Sequence, residues 1–385
     1  MTSTLCNEQQ TPGVPQQIAT RLAFFVAGLG MAAWAPLVPF AKARIGLDDG
    51  SLGLLLLCIG AGSMLAMPLT GFLTGKLGCR PVILLAGLAL CIDLPLLVLM
   101  NSIGGMAVAL LLFGAAIGMI DVAMNVQAVI VERASGKAMM SGFHGFFSVG
   151  GIAGAGGVSI LLWLGLSPLL ATLATVLVVF ALLALASRNL LRESGASEGG
   201  GPMFVLPRGW VMFIGILCFI MFLAEGSMLD WSALFLTTLR GVEHSQAGLG
   251  YALFSITMTI GRLNGDRVVN ALGRYRVLLL GSLCAAIGLS LAIVFNHATV
   301  SLIGFMLVGL GASNVVPILF SAAGNQHDMP ANLAIASVTT VGYAGILAGP
   351  ALIGFIAQFS NLTVAFACVA ALLLAVTASA RAITR

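Results

Sequence analysis

About a dozen apolar runs of roughly 20 residues, joined by short connections, leave this chain little choice of solvent. A run of that length crosses the hydrocarbon of a bilayer as one helix, and a helix there satisfies its own backbone. The chain is 59% hydrophobic and only 8% charged. Spans are predicted at 20–43, 51–74, 81–100, 104–131, 139–163 and 166–186, then at 210–238, 246–264, 277–295, 299–324, 333–359 and 362–380. Twelve such spans consume about 250 positions, so no water-soluble domain remains to do chemistry. The expected fold class is an all-α polytopic membrane protein. The stretch up to Gln17 lacks the basic start of a secretory signal, and the run from Leu22 is followed by many more, so it is read as a retained first span.

Charge then orients the bundle. Reading the connections alternately as inside and outside places Arg21, Lys76, Arg80, Arg133, Lys137, Arg188, Arg192, Arg208, Arg262, Arg267, Arg274, Arg276, Arg381 and Arg385 on one side. Only Lys42, Arg44 and Arg240 fall on the other. The positive-inside rule therefore predicts a bacterial inner membrane location with both termini cytoplasmic. The net charge of +4 is spread along these loops, which argues for topology and against nucleic-acid binding. The seven cysteines are scattered, without a CxxC, and are read as small apolar residues.

The chain divides once. Ser187 to Arg208 is its long hydrophilic stretch, and Ser194 to Pro202 has the composition of a flexible linker. Residues 1–186 and 210–385 are thus expected to form two six-helix bundles joined by a cytoplasmic linker at 187–209. The halves resemble each other. Gly71 and Arg80 are spaced like Gly265 and Arg274; Gly150-x-x-Ala153-Gly154 matches Gly345-x-x-Ala348-Gly349; Trp34 and Trp231 sit at comparable depths in spans one and seven. Three matches in the same order indicate a duplicated unit, and parallel six-span repeats with a site between them are a known transporter plan.

Gly71-Phe-Leu-Thr-Gly-Lys76-Leu-Gly78-Cys-Arg80 resembles the GxxxDRxGRR signature loop of the major facilitator superfamily. The segments Asp121–Asn125, Glu132-Arg133, Ser141–Ser148 and Ala224–Trp231 are similar to those of bacterial YbjJ-like inner-membrane carriers near the fucose-permease branch. The resemblance implies twelve helices in two pseudo-symmetric bundles and solute transport. It also implies a cytoplasmic gate at Gly71, Lys76, Gly78 and Arg80, with Arg262 at the same face. One departure matters: Gly75 stands where the family has an acid that helps clamp that face shut. The usual lock is then weakened or replaced, and Lys76, Arg80, Glu132 and Arg133 are the expected substitute ion-pair set.

Ionisable groups inside a membrane are costly and need a reason to be there. On span four, Gly114, Gly118, Asp121, Asn125, Ala128 and Glu132 share one face at 100° per residue. Glu132 belongs at the cytoplasmic end; Asp121 lies about 16 Å deeper at 1.5 Å per residue. A carboxyl held there suits proton carriage, the alternative being an interhelical hydrogen bond. His144, flanked by Ser141 and Ser148 on one face, could relay protons or simply pack. Glu225 is the deeper acid of span seven and the second coupling candidate. Asn125, Asn314 and Gln127 would bind substrate polar groups, with Tyr343 and Trp34 as stacking contacts or packing residues. Pro317 is expected to interrupt span ten and free backbone carbonyls.

Several activities are excluded by the pattern. Gly71 to Lys76 falls short of a phosphate-binding loop, no HExxH or GxSxG occurs, and the four histidines are too dispersed for a metal site. No cofactor is implied. The reading is a secondary active transporter, acting as a monomer in the lipid bilayer on a small-molecule substrate. H⁺ is the expected coupling ion, because the candidate acids are single and set among apolar residues. Resemblance to the fucose-permease branch makes a small polar solute such as a sugar the first guess. Drug or metabolite efflux by antiport, and a transport-inactive membrane sensor, remain alternatives.

Overall fold

A computed structural model of the chain describes residues 12–47, 49–192, 206–243 and 248–383. The centre of the predicted linker, Ser194–Pro202, lies outside the described residues, as do positions 1–11 and Arg385. Every regular element among the described residues is helical. In chain order the first half holds α1 (Val14–Ala33), a single 3₁₀ turn (Ala35–Leu37), α2 (Val38–Ile45), α3 (Asp49–Leu77), α4 (Cys79–Leu99), α5 (Ile103–Ser135), α6 (Met140–Trp163) and α7 (Pro168–Ser187). The second holds α8 (Gly209–Arg240), α9 (Leu249–Leu272), α10 (Arg274–Val294), α11 (Ala298–Ala312), α12 (Val315–Asn325), α13 (Ala331–Phe359) and α14 (Leu362–Ile383).

These helices are the twelve predicted spans, with two of them broken. The first span is α1 and α2 in series, kinked where Pro36 and Pro39 remove backbone donors. The tenth is α11 and α12, parted at Ser313–Asn314, four and three residues before Pro317, as the clash of a proline ring with the preceding turn requires. Among the described residues eleven helical segments are long and apolar enough to cross a membrane. The remaining span is α9, which carries Arg262, Asp266 and Arg267. It was expected to stop at 264, where those charges resemble a loop, but it runs to Leu272.

The two bundles repeat one packing scheme. In the first, α1 lies against α6 and α3 against α5; in the second, α8 lies against α13 and α9 against α11. Glycine sets these distances. A Cβ on Gly150 or Gly154 would land on the carbonyls of Phe25 or Leu29 in α1, and one on Gly345 on the carbonyl of Phe219 in α8. Gly114 of α5 is likewise seated on the Ile59 carbonyl of α3, and Gly309 of α11 on Phe254 of α9. Small residues let membrane helices approach this closely, which compensates for the missing hydrophobic drive between helices in lipid.

Turns repeat as well. Gly78 and Gly273 each open the next helix at φ 84° and 82°, a region closed to most side chains. This equivalence is one residue off the register suggested by Gly71–Arg80 and Gly265–Arg274. At the opposite face, Arg44 in the last turn of α2 donates to the carbonyls of Leu97 and Met100 at 2.8 and 3.0 Å, closing the end of α4. Arg240 at the end of α8 does the same for α10, donating to Ala292 and Ile293 at 2.6 and 3.2 Å. Two of the three basic residues on the wrong side of the charge tally are therefore clamps on helix C-termini, where cations are favoured.

Candidate functional site

Halfway along α5, Asp121 is partly buried while residues 122–129 are buried. Asn125, one turn on, donates from Nδ2 to the Asp121 carbonyl at 2.9 Å and more loosely to its Oδ1 at 3.4 Å. That fixes the amide, so Asn125 Oδ1 is the atom facing His144 Nε2 at 3.2 Å. Nε2 must then carry the hydrogen of a neutral imidazole. The ring is held by Phe24 of α1 at 5.2 Å and by Phe320 of α12 at 5.7 Å, one from each half. Tyr343 of α13 stands edge-on to Phe222 and within electrostatic reach of Asp121.

The second cluster corrects two expectations. Arg262, assigned to the cytoplasmic gate, lies about 15 Å inside α9 from its Leu272 end. Its Nη2 meets Glu225 at 3.3 Å, and its Nη1 donates to Ser148 Oγ of α6 at 3.2 Å. Glu225 is consequently not a lone acid among apolar residues but half of an intramembrane ion pair. Ser148 also donates to the His144 carbonyl at 3.3 Å. One polar path therefore runs from Asp121 through Asn125 and the His144 residue to Ser148, Arg262 and Glu225, crossing between the halves.

The other predicted contacts fall elsewhere. Asn314, at the break in span ten, donates to the Gly261 carbonyl and to Ser313, while its Oδ1 is buried without a partner. Gln127 is fully buried, with its Nε2 on Thr20 and its Oε1 accepting from Leu191 N at 3.0 Å. Both ends of that amide are spent on holding the chain after α7, so Gln127 does not join the central groups. Trp34 ends α1 with its indole N–H buried and unpartnered, as is that of its counterpart Trp231.

At the basic face the halves are bolted together, though not by the expected set. Glu132, 3% exposed, accepts from Arg274 Nη2 at 2.9 Å and from Ser321 Oγ, both in the second half. Its other oxygen accepts from Met139 N and Met140 N at 2.8 and 2.9 Å, capping α6. Arg133 donates to Asn325 at 2.7 Å. Lys76 lies over the Phe72 ring, and the backbone of Arg80 binds Leu191, so these two serve their own half. Four partners were missed: Asp266, Asn270, Asn332 and Arg274. Asp266 accepts from Gly142 N at 3.0 Å, and Asn270 exchanges two bonds with Ala138. Asn332 donates to the Gly71 carbonyl at 2.6 Å, and a side chain at Gly75 would strike its amide. That explains the departure from the signature: glycine at 75 admits Asn332 where the family places an acid. The sequence signal for Asp266 is its position between Gly265 and Arg274, the pair that repeats Gly71 and Arg80.

A helical bundle of this topology, with buried charges bridging its halves and bolts across one face, defines a polytopic membrane carrier. The Major Facilitator Superfamily model matches residues 21–330, and the chain belongs to that superfamily. It is 73% identical to an uncharacterised MFS-type transporter of Yersinia pestis over the whole of both chains. It is 33% identical to the membrane protein MosC of Rhizobium meliloti, over 88% of this chain and 83% of that one. Its fold is similar to a crystal structure of FucP in the outward conformation, with a TM-score of 0.82 at 16% identity, covering 98% of this chain and all of the other. The protein is a multi-pass membrane transporter of this superfamily.

Proposed function

We propose that the chain is a proton-driven secondary transporter that moves a small polar solute, a sugar being the first candidate, by alternating access. Residues 1–186 and 210–385 are the moving bodies, 187–209 connects them, and the basic face is cytoplasmic in a bacterial inner membrane. Asp121 carries the coupling proton, and His144 modulates it through Asn125. Glu225 is the second titrating group, restrained by Arg262. Asn125, Asn314 and Tyr343 remain the solute contacts; Gln127 and Trp34 are given up.

The carrying observation is the run of polar contacts from Asp121 to Glu225 across the two halves, joined at His144 through that residue's own frame. Charges at this depth are expensive unless paired or used, and a path that must break when the halves separate is a natural coupling element. The bolts on the basic face support a state closed to the cytoplasm, in keeping with the likeness to FucP in its outward conformation.

The test is purified protein in liposomes, offered a solute panel with and without an imposed pH gradient. Asp121→Asn is expected to abolish gradient-driven accumulation while sparing exchange. Unaltered accumulation in that variant would remove Asp121 from the mechanism.

A further inference from the structure

Arg262 is under-used for a buried guanidinium. It is 8% exposed, and its Nε–H has no acceptor. The Nε and Nη2 hydrogens form the side-on fork that fits a planar dioxygen anion. Glu225 does not fill it: both of its oxygens approach Nη2 alone, at 3.3 and 3.4 Å, well beyond the ~2.7–2.9 Å of a charge-assisted bond. One prong of a buried fork is thus empty and the other loosely occupied. From this geometry we infer that the Arg262 fork receives a carboxylate of the solute, which narrows the small polar cargo proposed above to one that carries a carboxylate, as a sugar acid does and a neutral sugar does not.

The inference rests on the transport reading and gives it a charge rule. Asp121 and Glu225 against Arg262 leave this buried region one negative charge in excess. The charged and titratable groups around Glu225 are Arg262 and Tyr251 on α9 and Cys218 on its own helix. His144 of α6 lies within electrostatic reach of Arg262, and Tyr343 of α13 within electrostatic reach of Asp121. None of these except Arg262 is cationic at neutral pH in its ordinary form. A second anion therefore enters the fork only when Glu225 takes up a proton and releases Nη2. Solute and a proton on Glu225 arrive together without changing the net charge of the region, and the proton carried by Asp121 is taken up in a separate step.

Formate and formamide, which share shape but not charge, probe the fork on the full-length protein in detergent. Formate stays ionised between about pH 6 and 8. It is expected to raise the melting temperature, more at the acid end of that range than at the alkaline end, while formamide does nothing. Arg262→Lys keeps the charge but loses the fork and should weaken formate about ten- to a hundredfold. Because that variant could fold poorly, Glu225→Gln supplies a gain of function: formate should bind more tightly and lose its pH dependence. Equal effects of formate and formamide, or a Glu225→Gln protein with unchanged formate affinity and pH profile, would overturn the inference. Proton-driven uptake of neutral polyols with no formate effect would sink it while leaving the transport reading intact. Formate binding as described, without proton-driven uptake of any solute, would sink the transport reading alone.

Discussion

The first and second bundles share their backbone devices and differ in their charges. Gly150 and Gly345 seat the same pair of helices against carbonyls, Gly78 and Gly273 open the same helix at positive φ, and Arg44 and Arg240 close the same helix end. Against this, the acid of the first bundle's central cluster, Asp121, has Asn125 beside it, whereas Glu225 in the second faces a guanidinium. The bolts differ too. On one side of the interface Asn332 reaches a carbonyl past Gly75; on the other, Asp266 accepts from the backbone N–H of Gly142 at the start of α6. Features set by sterics and by backbone hydrogen bonding survive duplication because both copies must still pack and satisfy their helix ends. Charges carry no such requirement, and their asymmetry is where the two halves acquire separate tasks.

The largest break in this comparison should come at the bolts. Glu132 is buried and serves four donors, two of them in the other half. Without Glu132 the Arg274 side chain, 43% exposed, can turn to water, but Met139 N, Met140 N and Ser321 Oγ lose a buried acceptor at about 1–3 kcal/mol each, so Glu132→Ala should open the basic face. Asp266→Asn keeps a carbonyl for Gly142 N and should cost roughly 1 kcal/mol. The readout is thiol labelling of Ser141→Cys, in an otherwise cysteine-free chain, from the basic side of the membrane. Rapid labelling with Glu132→Ala and slow labelling with Asp266→Asn is the expected order; the reverse would make Asp266 the principal bolt.

A smaller and symmetric loss is expected from the glycines. Valine at Gly150 or Gly345 places carbon on a helix carbonyl that cannot rotate away, an overpacking cost of about 3 kcal/mol in each case. Similar falls in melting temperature for the two variants would sharpen the claim that the halves are sterically equivalent. A drop confined to one would show that its partner helix can yield.

Much of this fold was legible because hydrocarbon forces long apolar runs and leaves glycine where helices touch. The spans, the duplication and the glycine pairs follow from those pressures. Long-range partners do not. Glu225 and Arg262 lie 37 positions apart, and the charges of α9 marked a loop boundary to a reading based on hydropathy. Arg262 was accordingly moved to the membrane surface, and Glu225 was left without a counter-ion. The positive-inside tally treats every basic residue as a loop residue, so it gives no reason for its own exceptions. Arg44 and Arg240 were counted against the topology although they bind helix-end carbonyls.

Those two arginines offer the finest test of how far the equivalence extends. Arg44 makes two bonds to the end of α4. Arg240 reaches two carbonyls of α10, adds Ser301 Oγ and Asn296 Oδ1 at 3.0 Å each, and lies 4.6 Å over the Phe235 ring. If clamping a helix end is the shared task and the extra contacts are an elaboration, both alanine variants should destabilise, by about 1 kcal/mol at Arg44 and about 2 kcal/mol at Arg240. Lysine should rescue Arg44 better than Arg240, because a single ammonium can meet two carbonyls but cannot reproduce a fork shared among five acceptors, the Leu239 carbonyl included. Denaturant melts of the four variants in one detergent settle the ranking, and a larger loss at Arg44 would mean that the first bundle depends on its clamp more than its simpler geometry implies.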